Sequence, residues 1–103
     1  MKITAVETIR IEEFPNLLWV EVHTDEGLKG LGETFFGAQA VEAYIHESAV
    51  QKLLGTDPLA IDRIARDLVS YLGFRSTGAE VRGASAIDIA LWDLFGRFTG
   101  QPI

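Results

Sequence analysis

At 103 residues, with 48% hydrophobic and 23% charged content, the chain has the composition of one soluble globular domain rather than of a disordered segment. Fifteen acidic residues against nine basic ones leave a formal charge of −6, which excludes the basic footprint that nucleic acid or an anionic membrane surface would require. The absence of cysteine excludes a disulfide framework, a thiolate nucleophile and a thiolate metal site, and fits a reducing compartment. The opening MKITAVETIRIEEF has no apolar h-region followed by a small-residue cleavage site. No run approaches the roughly 18 apolar residues that a membrane span needs, so the cytoplasm is the expected location.

From Lys2 to Ile11 the residues Ile3, Ala5, Ile9 and Ile11 alternate with polar neighbours, broken once at Val6 and Glu7, which predicts a half-buried strand. Glu12 to Asn16, with Pro15 and two carboxylates, reads as a loop. Leu17 to Thr24 is rich in β-formers, with Leu18, Val20 and Val22 on one face and Leu17, Trp19, Glu21 and His23 on the other. Asp25-Glu26-Gly27 supplies a turn, and Leu28 to Phe36 a third strand. The three form an antiparallel meander.

After Gly37 the period changes. Val41, Tyr44, Ile45, Ala49 and Leu53 fall at helical spacing, with Gly55 as the stop. Asp57 as N-cap and Pro58 at the first helical position open a second helix carrying Ile61, Ile64, Ala65, Leu68 and Leu72, which Gly73 ends. Phe74 to Gly78 is a polar loop, and a third helix begins near Ala79. Strands followed by helices predict an α+β fold, a small sheet with a bundle of three or slightly more helices on one side.

The last helix is double-sided. Ala84, Ile87, Ala90, Leu91, Leu94, Phe95 and Phe98 occupy an arc of roughly 140°, wide enough to face a core. Ile89 and Trp92, with Ser85 and Gly96, make a second stripe suited to another packing partner. Only Asp93, Arg97 and their surroundings look solvated, with Asp93 and Arg97 at i,i+4 spacing as a surface pair. A chain this short buries roughly two thirds of its unfolded surface and would struggle to cover both faces. Further structure after Gln101-Pro102-Ile103 is therefore expected, and one alternative is an interaction module that docks another protein through this helix.

No catalytic constellation assembles from local chemistry. His46-Glu47 begins a zinc motif, but Val50 stands where the second histidine must be. Gly30-Leu31-Gly32 lacks the third glycine of a phosphate-binding loop, Phe35 taking its place, and is expected to bend or bulge a strand. Gly83-Ala84-Ser85-Ala86 lacks the final glycine of a nucleophile elbow, so Ser85 is a packing residue. Adjacent Glu12 and Glu13 are expected to be solvated, and His23 to be a surface or partly buried strand residue. Two features remain open. Glu33, Thr34, Phe35, Phe36 and Gly37 place two rings and a carboxylate where a surface loop is ordinarily polar, so they either cover a ligand or seal the core between sheet and helix. Arg75 and Arg82 flank Ser76-Thr77-Gly78, either as carboxylate-holding guanidinium groups or as ordinary surface arginines.

KITAVET at Lys2, EVHTDEGLKGLGE at Glu21, GTDP at Gly55 and above all ASAIDIALWDLFGRFTGQPI from Ala84 resemble the N-terminal capping domain of the enolase superfamily, in its mandelate racemase and muconate lactonizing enzyme branch. One departure is Phe95, where that family often carries lysine. The resemblance spans the whole chain, residues 1–103, and implies one capping domain whose last helix leads toward a C-terminal TIM-type barrel absent from this chain. It implies proton abstraction α to a carboxylate by a barrel lysine or histidine, with Mg²⁺ held by barrel carboxylates, so that no catalytic or metal-binding residue lies in these 103 residues. The cap loops map onto Glu13 to Asn16 and Glu33 to Ala38, giving Phe14, Asn16, Glu33, Thr34, Phe35, Phe36 and Arg75 as pocket lining, with Ile89 and Trp92 packed toward the barrel. The stretch from Gly73 to Asp93 is similar to acid-sugar dehydratases. The favoured reading is a hydro-lyase acting on a small carboxylic or sugar acid, with a racemase, epimerase or cycloisomerase as alternatives. The expected partners are the chain's own barrel and further copies in a homo-oligomer, with neither nucleic acid nor membrane, and the isolated chain is expected to be inactive.

Overall fold

The computed structural model describes residues 1–70 and 78–101, with the backbone alone for Val69 and Ser70. Three strands, β1 (Ile3–Ile9), β2 (Leu17–Thr24) and β3 (Lys29–Phe35), form an antiparallel sheet in the order β1-β2-β3. Helix α1 (Ala38–Tyr44) passes through a π-helical turn (Ile45–Ala49) into α2 (Val50–Leu53), followed by α3 (Ile61–Ser70) and the long α4 (Ala79–Thr99). The α+β layering expected from the sequence is the observed fold.

Strict alternation in β2 buries Leu18, Val20, Val22 and Thr24 against the helices and leaves Leu17, Trp19, Glu21 and His23 half-buried on the outer face. In β1 the alternation is offset. A register shift between Ile3 and Ala5 puts Ile3 and Val6 in the core, while Ile9 and Ile11 are each 40% exposed. The single break noticed at Val6 and Glu7 is the trace of this irregularity, because one extra residue turns every later side chain to the opposite face. The strand accordingly ends at Ile9 rather than Ile11.

The core joins Val20 and Val22 of the sheet to Val41, Ile45, Ala49 and Leu53 of the first helical segment and to Ile87, Leu91 and Leu94 of α4, all fully or almost fully buried. The helical spacing from Val41 to Leu53 survives the π turn, in which the Val50 amide donates to the Ile45 carbonyl. Gly55, at φ 82°, follows as the stop. The second helix begins later than the Asp57-Pro58 signal suggests. Asp57 caps a separate turn, its carboxylate accepting from the Leu59 amide at 2.9 Å and its carbonyl from Ala60 at 3.1 Å, and α3 starts at Ile61. Leu72 and Gly73 lie outside the described residues.

β3 lies directly along α4. A Cβ at Gly30 would come within 2.0 Å of the Ala90 carbonyl oxygen, and one at Gly32 within 1.9 Å of the Ala86 oxygen. The two glycines therefore permit close approach of strand to helix, not the bend or bulge expected of them. On α4 itself, Ile87, Ala90, Leu91 and Leu94 are buried, but Phe95 and Phe98, expected within the core arc, are 38% and 49% exposed. The sheet is narrow, so the helix meets it along a tighter stripe than the apolar residues span. The second stripe is exposed too, with Ile89 at 47% and Trp92 at 43%, and Trp92 packs edge-on against Phe95 at a centroid distance of 5.7 Å.

Candidate functional site

The two segments expected to form loops meet at one end of the sheet. The first turns twice in a few residues: the Phe14 amide donates to the Ile11 carbonyl and the Leu17 amide to the Phe14 carbonyl, each at 3.0 Å. The second is shorter than expected. Glu33, Thr34 and Phe35 are ladder residues of β3, opposite Trp19, Leu18 and Leu17, because the pairing with β2 continues to the strand's end. Thr34 thus takes the inner face with Leu18, and Glu33 the outer face with Trp19. Only Phe36 and Gly37 make the turn into α1.

That turn is conformationally costly. Phe36 has φ 83°, the only positive value of a non-glycine residue among the described residues, and Gly37 follows at φ 66°. A bulky side chain in this region is strained by contact between its Cβ and the backbone, so its neighbours must hold it. Two contacts do so. The Phe36 amide donates to the Asn16 carbonyl at 2.8 Å, joining the two segments. From the first turn of α4, Arg82 Nη1 donates to the Phe35 carbonyl at 2.8 Å, and its guanidinium carbon sits 5.3 Å from the centroid of the Phe36 ring.

The rings face outward. Phe14, Phe35 and Phe36 are 53%, 58% and 59% exposed, so Phe35 and Phe36 do not seal the core between sheet and helix. Phe14, Asn16 and Phe35 come together around a concavity of about 240 Å³. A larger open cleft of about 850 Å³ adjoins it, lined by Arg10, Glu12, Pro15 and Asn16 on one side and by Gly37 to Ala40 on the other. Glu33, Thr34 and Phe36 line neither, and Arg75 lies outside the described residues.

Arg10, in the lining of the cleft, belongs to a polar cluster that sequence spacing did not signal. Thr8 Oγ1 donates to Glu42 Oε2 at 2.5 Å, and Arg10 Nε to Glu42 Oε1 at 2.9 Å. His46 Nε2 lies 2.8 Å from the same Thr8 hydroxyl. Since the hydroxyl proton is committed to the carboxylate, Nε2 must carry the hydrogen and donate. The Thr8 hydrogen bond, chiefly, and then the Arg10 charge hold the Glu42 carboxyl below its ordinary value against the opposing effect of burial. His46 is thereby a structural donor at the helix surface.

On the opposite, outer face of the sheet, the register aligning Glu7 with Glu21 and Ala5 with His23 brings three potential cation ligands within 4.8 Å of one another. His23 Nε2 lies 2.7 Å from Glu7 Oε1 and 3.4 Å from Glu21 Oε1, yet makes no hydrogen bond of acceptable geometry. The contact is therefore electrostatic, attractive when the ring is protonated. Strand pairing, which single-strand periodicity does not specify, creates this grouping.

Comparison with known proteins places this geometry in a family. Residues 3–103 match the family model described as mandelate racemase / muconate lactonizing enzyme, N-terminal domain. A D-galactonate dehydratase of Variovorax paradoxus is 33% identical over the whole of this chain, which covers 27% of that protein. A D-mannonate dehydratase of Novosphingobium aromaticivorans is 30% identical, again over the whole chain and 26% of the relative. Among solved structures, an enolase of the mandelate racemase subgroup from Agrobacterium tumefaciens superposes with a TM-score of 0.94 at 67% identity, covering 99% of this chain and 28% of that one. The chain thus spans about a quarter of the length of the proteins it matches.

Proposed function

Because the chain belongs to the mandelate racemase and muconate lactonizing enzyme N-terminal domain family, we propose that it is the substrate-capping domain of a Mg²⁺-dependent acid-sugar dehydratase. The observation that carries the reading is the paired-loop end of the sheet. Exposed Phe14, Phe35 and Phe36 stand beside an open cleft, and the Phe36–Asn16 hydrogen bond joins the segments that bear them. A solvent-facing aromatic rim held by strained backbone gains its packing only when a ligand and a second wall complete it. Closing a site in this way excludes water and strengthens the electrostatics inside it, so a cap contributes without reacting groups of its own. The similarity to D-galactonate and D-mannonate dehydratases favours a polyhydroxylated acid as substrate.

The rim does not fit a Mg²⁺ site. Among the described residues the one grouping of three possible ligands, Glu7, Glu21 and His23, faces outward from the middle of the sheet and includes an imidazole, whereas Mg²⁺ favours oxygen ligands. In this reading the cation and the base that removes the α-proton belong to a C-terminal barrel, on which the exposed Ile89 and Trp92 of α4 are seated. In the same reading the whole enzyme is a homo-oligomer of the cytoplasm, a reducing compartment that a cysteine-free chain fits. Among the described residues, no helix is long and apolar enough to cross a membrane.

The test is an assay of the whole protein and of the isolated 103 residues against acid sugars of the D-galactonate and D-mannonate type, with Mg²⁺ and with chelator. Chelator-sensitive loss of water from substrate by the whole protein alone is expected. Turnover by the isolated chain would overturn the capping assignment. The mandelate racemase subgroup of the structural relative supports a second reading, and inversion of the α-carbon with every hydroxyl retained would select it.

A further inference from the structure

We propose that Arg82 is a positioning residue that sets the pose of the aromatic rim by latching the strained Phe35-Phe36 turn to α4. The inference rests on the reading of that rim as a pocket wall. Phe36 cannot be held at φ 83° by its own preference, and neither Phe36 nor Phe35 buries its ring to compensate. Among the described residues the contacts available to hold it are few. Asn16 engages the turn through backbone alone, by accepting from the Phe36 amide. Among the described residues Arg82 is the side chain that grips it, with one hydrogen bond to the Phe35 carbonyl and its guanidinium carbon over the Phe36 ring. These two contacts fix successive residues, so rotation of the peptide between them breaks at least one.

Arg82 is itself well anchored. It stands on the first turn of α4, where its amide donates to the Gly78 carbonyl at 3.0 Å, and the next residue, Gly83, is packed so closely that a Cβ there would reach within 2.5 Å of the Tyr44 ring. The latch therefore refers the rim to a rigid helix rather than to another loop. Arginine suits the role because its guanidinium donates in plane while stacking through its face, a combination that lysine's ammonium on a flexible stem reproduces poorly. The phenylalanines thus supply the surface, and Arg82 determines where that surface stands.

Amide hydrogen exchange on the whole protein tests this, comparing the Phe36 amide, bonded to Asn16, with the Leu91 amide inside α4. In Arg82→Ala the Phe36 amide is expected to exchange at least ~10-fold faster while Leu91 is unchanged, about the effect of losing one hydrogen bond of ordinary strength. Arg82→Lys, which keeps the charge and a donor, is expected to fall between the two and remains informative if the alanine variant is poorly folded. Adding Phe36→Gly to Arg82→Ala should restore part of the protection, because glycine adopts the same backbone angle without strain. An unchanged Phe36 amide, or parallel acceleration of Phe36 and Leu91, would overturn the latch. Steady-state kinetics on the same variants separates this proposal from the one it rests on. A raised KM with kcat little changed supports both. A loosened Phe36 amide with KM unaltered retains the latch and removes the rim from the substrate pocket.

Discussion

Thr8 links the sheet to the first helical segment through a single hydroxyl, and the chemistry of that link makes its contribution depend on pH. A carboxyl held below its ordinary value contributes stability that is present above the unfolded value, near 4.5, and is lost as pH falls through the depressed folded value. Thr8→Val removes the principal cause of the depression while keeping shape. At neutral pH it should destabilise the fold by about 1 kcal/mol, below the usual range for hydrogen bonds to a charged group because Glu42 is partly solvated. The deficit should shrink as pH drops below 4.5, where the carboxylate that needs the hydroxyl is neutralised. Urea titrations of both proteins at neutral and acidic pH test this, and a pH-independent deficit would show that Thr8 acts through packing. Gly32 offers a contrasting case, since a Cβ there would meet backbone that cannot swing aside. Gly32→Ala should cost about 3 kcal/mol or more, at or beyond the usual range for overpacking. Gly27→Ala, with φ 81° but no atom within 4 Å, should cost only the roughly 1 kcal/mol of a left-handed residue. Equal losses measured by denaturant unfolding would mean that proximity to α4 is not what requires glycine at Gly32. Local sequence exposed the two glycines of β3 but not their purpose, because the atoms they make room for belong to Ala86 and Ala90, far along the chain.

At the scale of elements, α4 does more than cover the sheet. β3 is an edge strand, and its outward amide at Leu31 would be free to pair with another chain. Asp93 Oδ2 accepts that amide at 2.8 Å while also pairing with Arg97 Nε at 3.1 Å. The i,i+4 pair was legible from spacing alone. The strand contact was not, and it changes what Asp93 is: a half-buried cap on the sheet edge rather than a solvated helix residue. Asp93→Ala should therefore cost about 1–2 kcal/mol, more than the few tenths of a surface ion pair, because it leaves an amide without its acceptor. Asp93→Asn keeps a side-chain oxygen and should lose markedly less. Exchange of the Leu31 amide distinguishes the two roles, rising in the alanine variant and little in the asparagine one. Equal losses with an unchanged Leu31 amide would reduce Asp93 to its pairing with Arg97.

For the whole molecule, the order of strands and helices was legible because each element carries its own period: two along Leu18, Val20 and Val22, and near 3.6 along Val41, Ile45, Ala49 and Leu53. The rim was legible only as an anomaly of composition. The left-handed angle at Phe36 and the grip of Arg82 arise from contacts between distant segments, which no local period encodes, whereas the run of β3 to Phe35 falls within the strand expected over Leu28 to Phe36. The same limit applies to α4, whose apolar width exceeded what one small sheet can bury. Ile89, Trp92 and Phe95 remain exposed as neighbours on one side of the helix, with Trp92 and Phe95 already in edge contact. Removing apolar surface gathered in this way from water is favourable by roughly 25 cal/mol for each Å², against the lost freedom that association costs. The isolated chain should therefore self-associate as its concentration rises, and the double variant Ile89→Lys, Trp92→Lys should shift it toward monomer without lowering stability, since neither side chain belongs to the buried core. Sedimentation velocity over a concentration series measures both effects. A wild-type chain that stays monomeric, or a double variant that associates equally well, would mean that this side of α4 is not the adhesive surface. Selective loss of association in the variant would identify this side of α4 as the adhesive surface of the isolated chain.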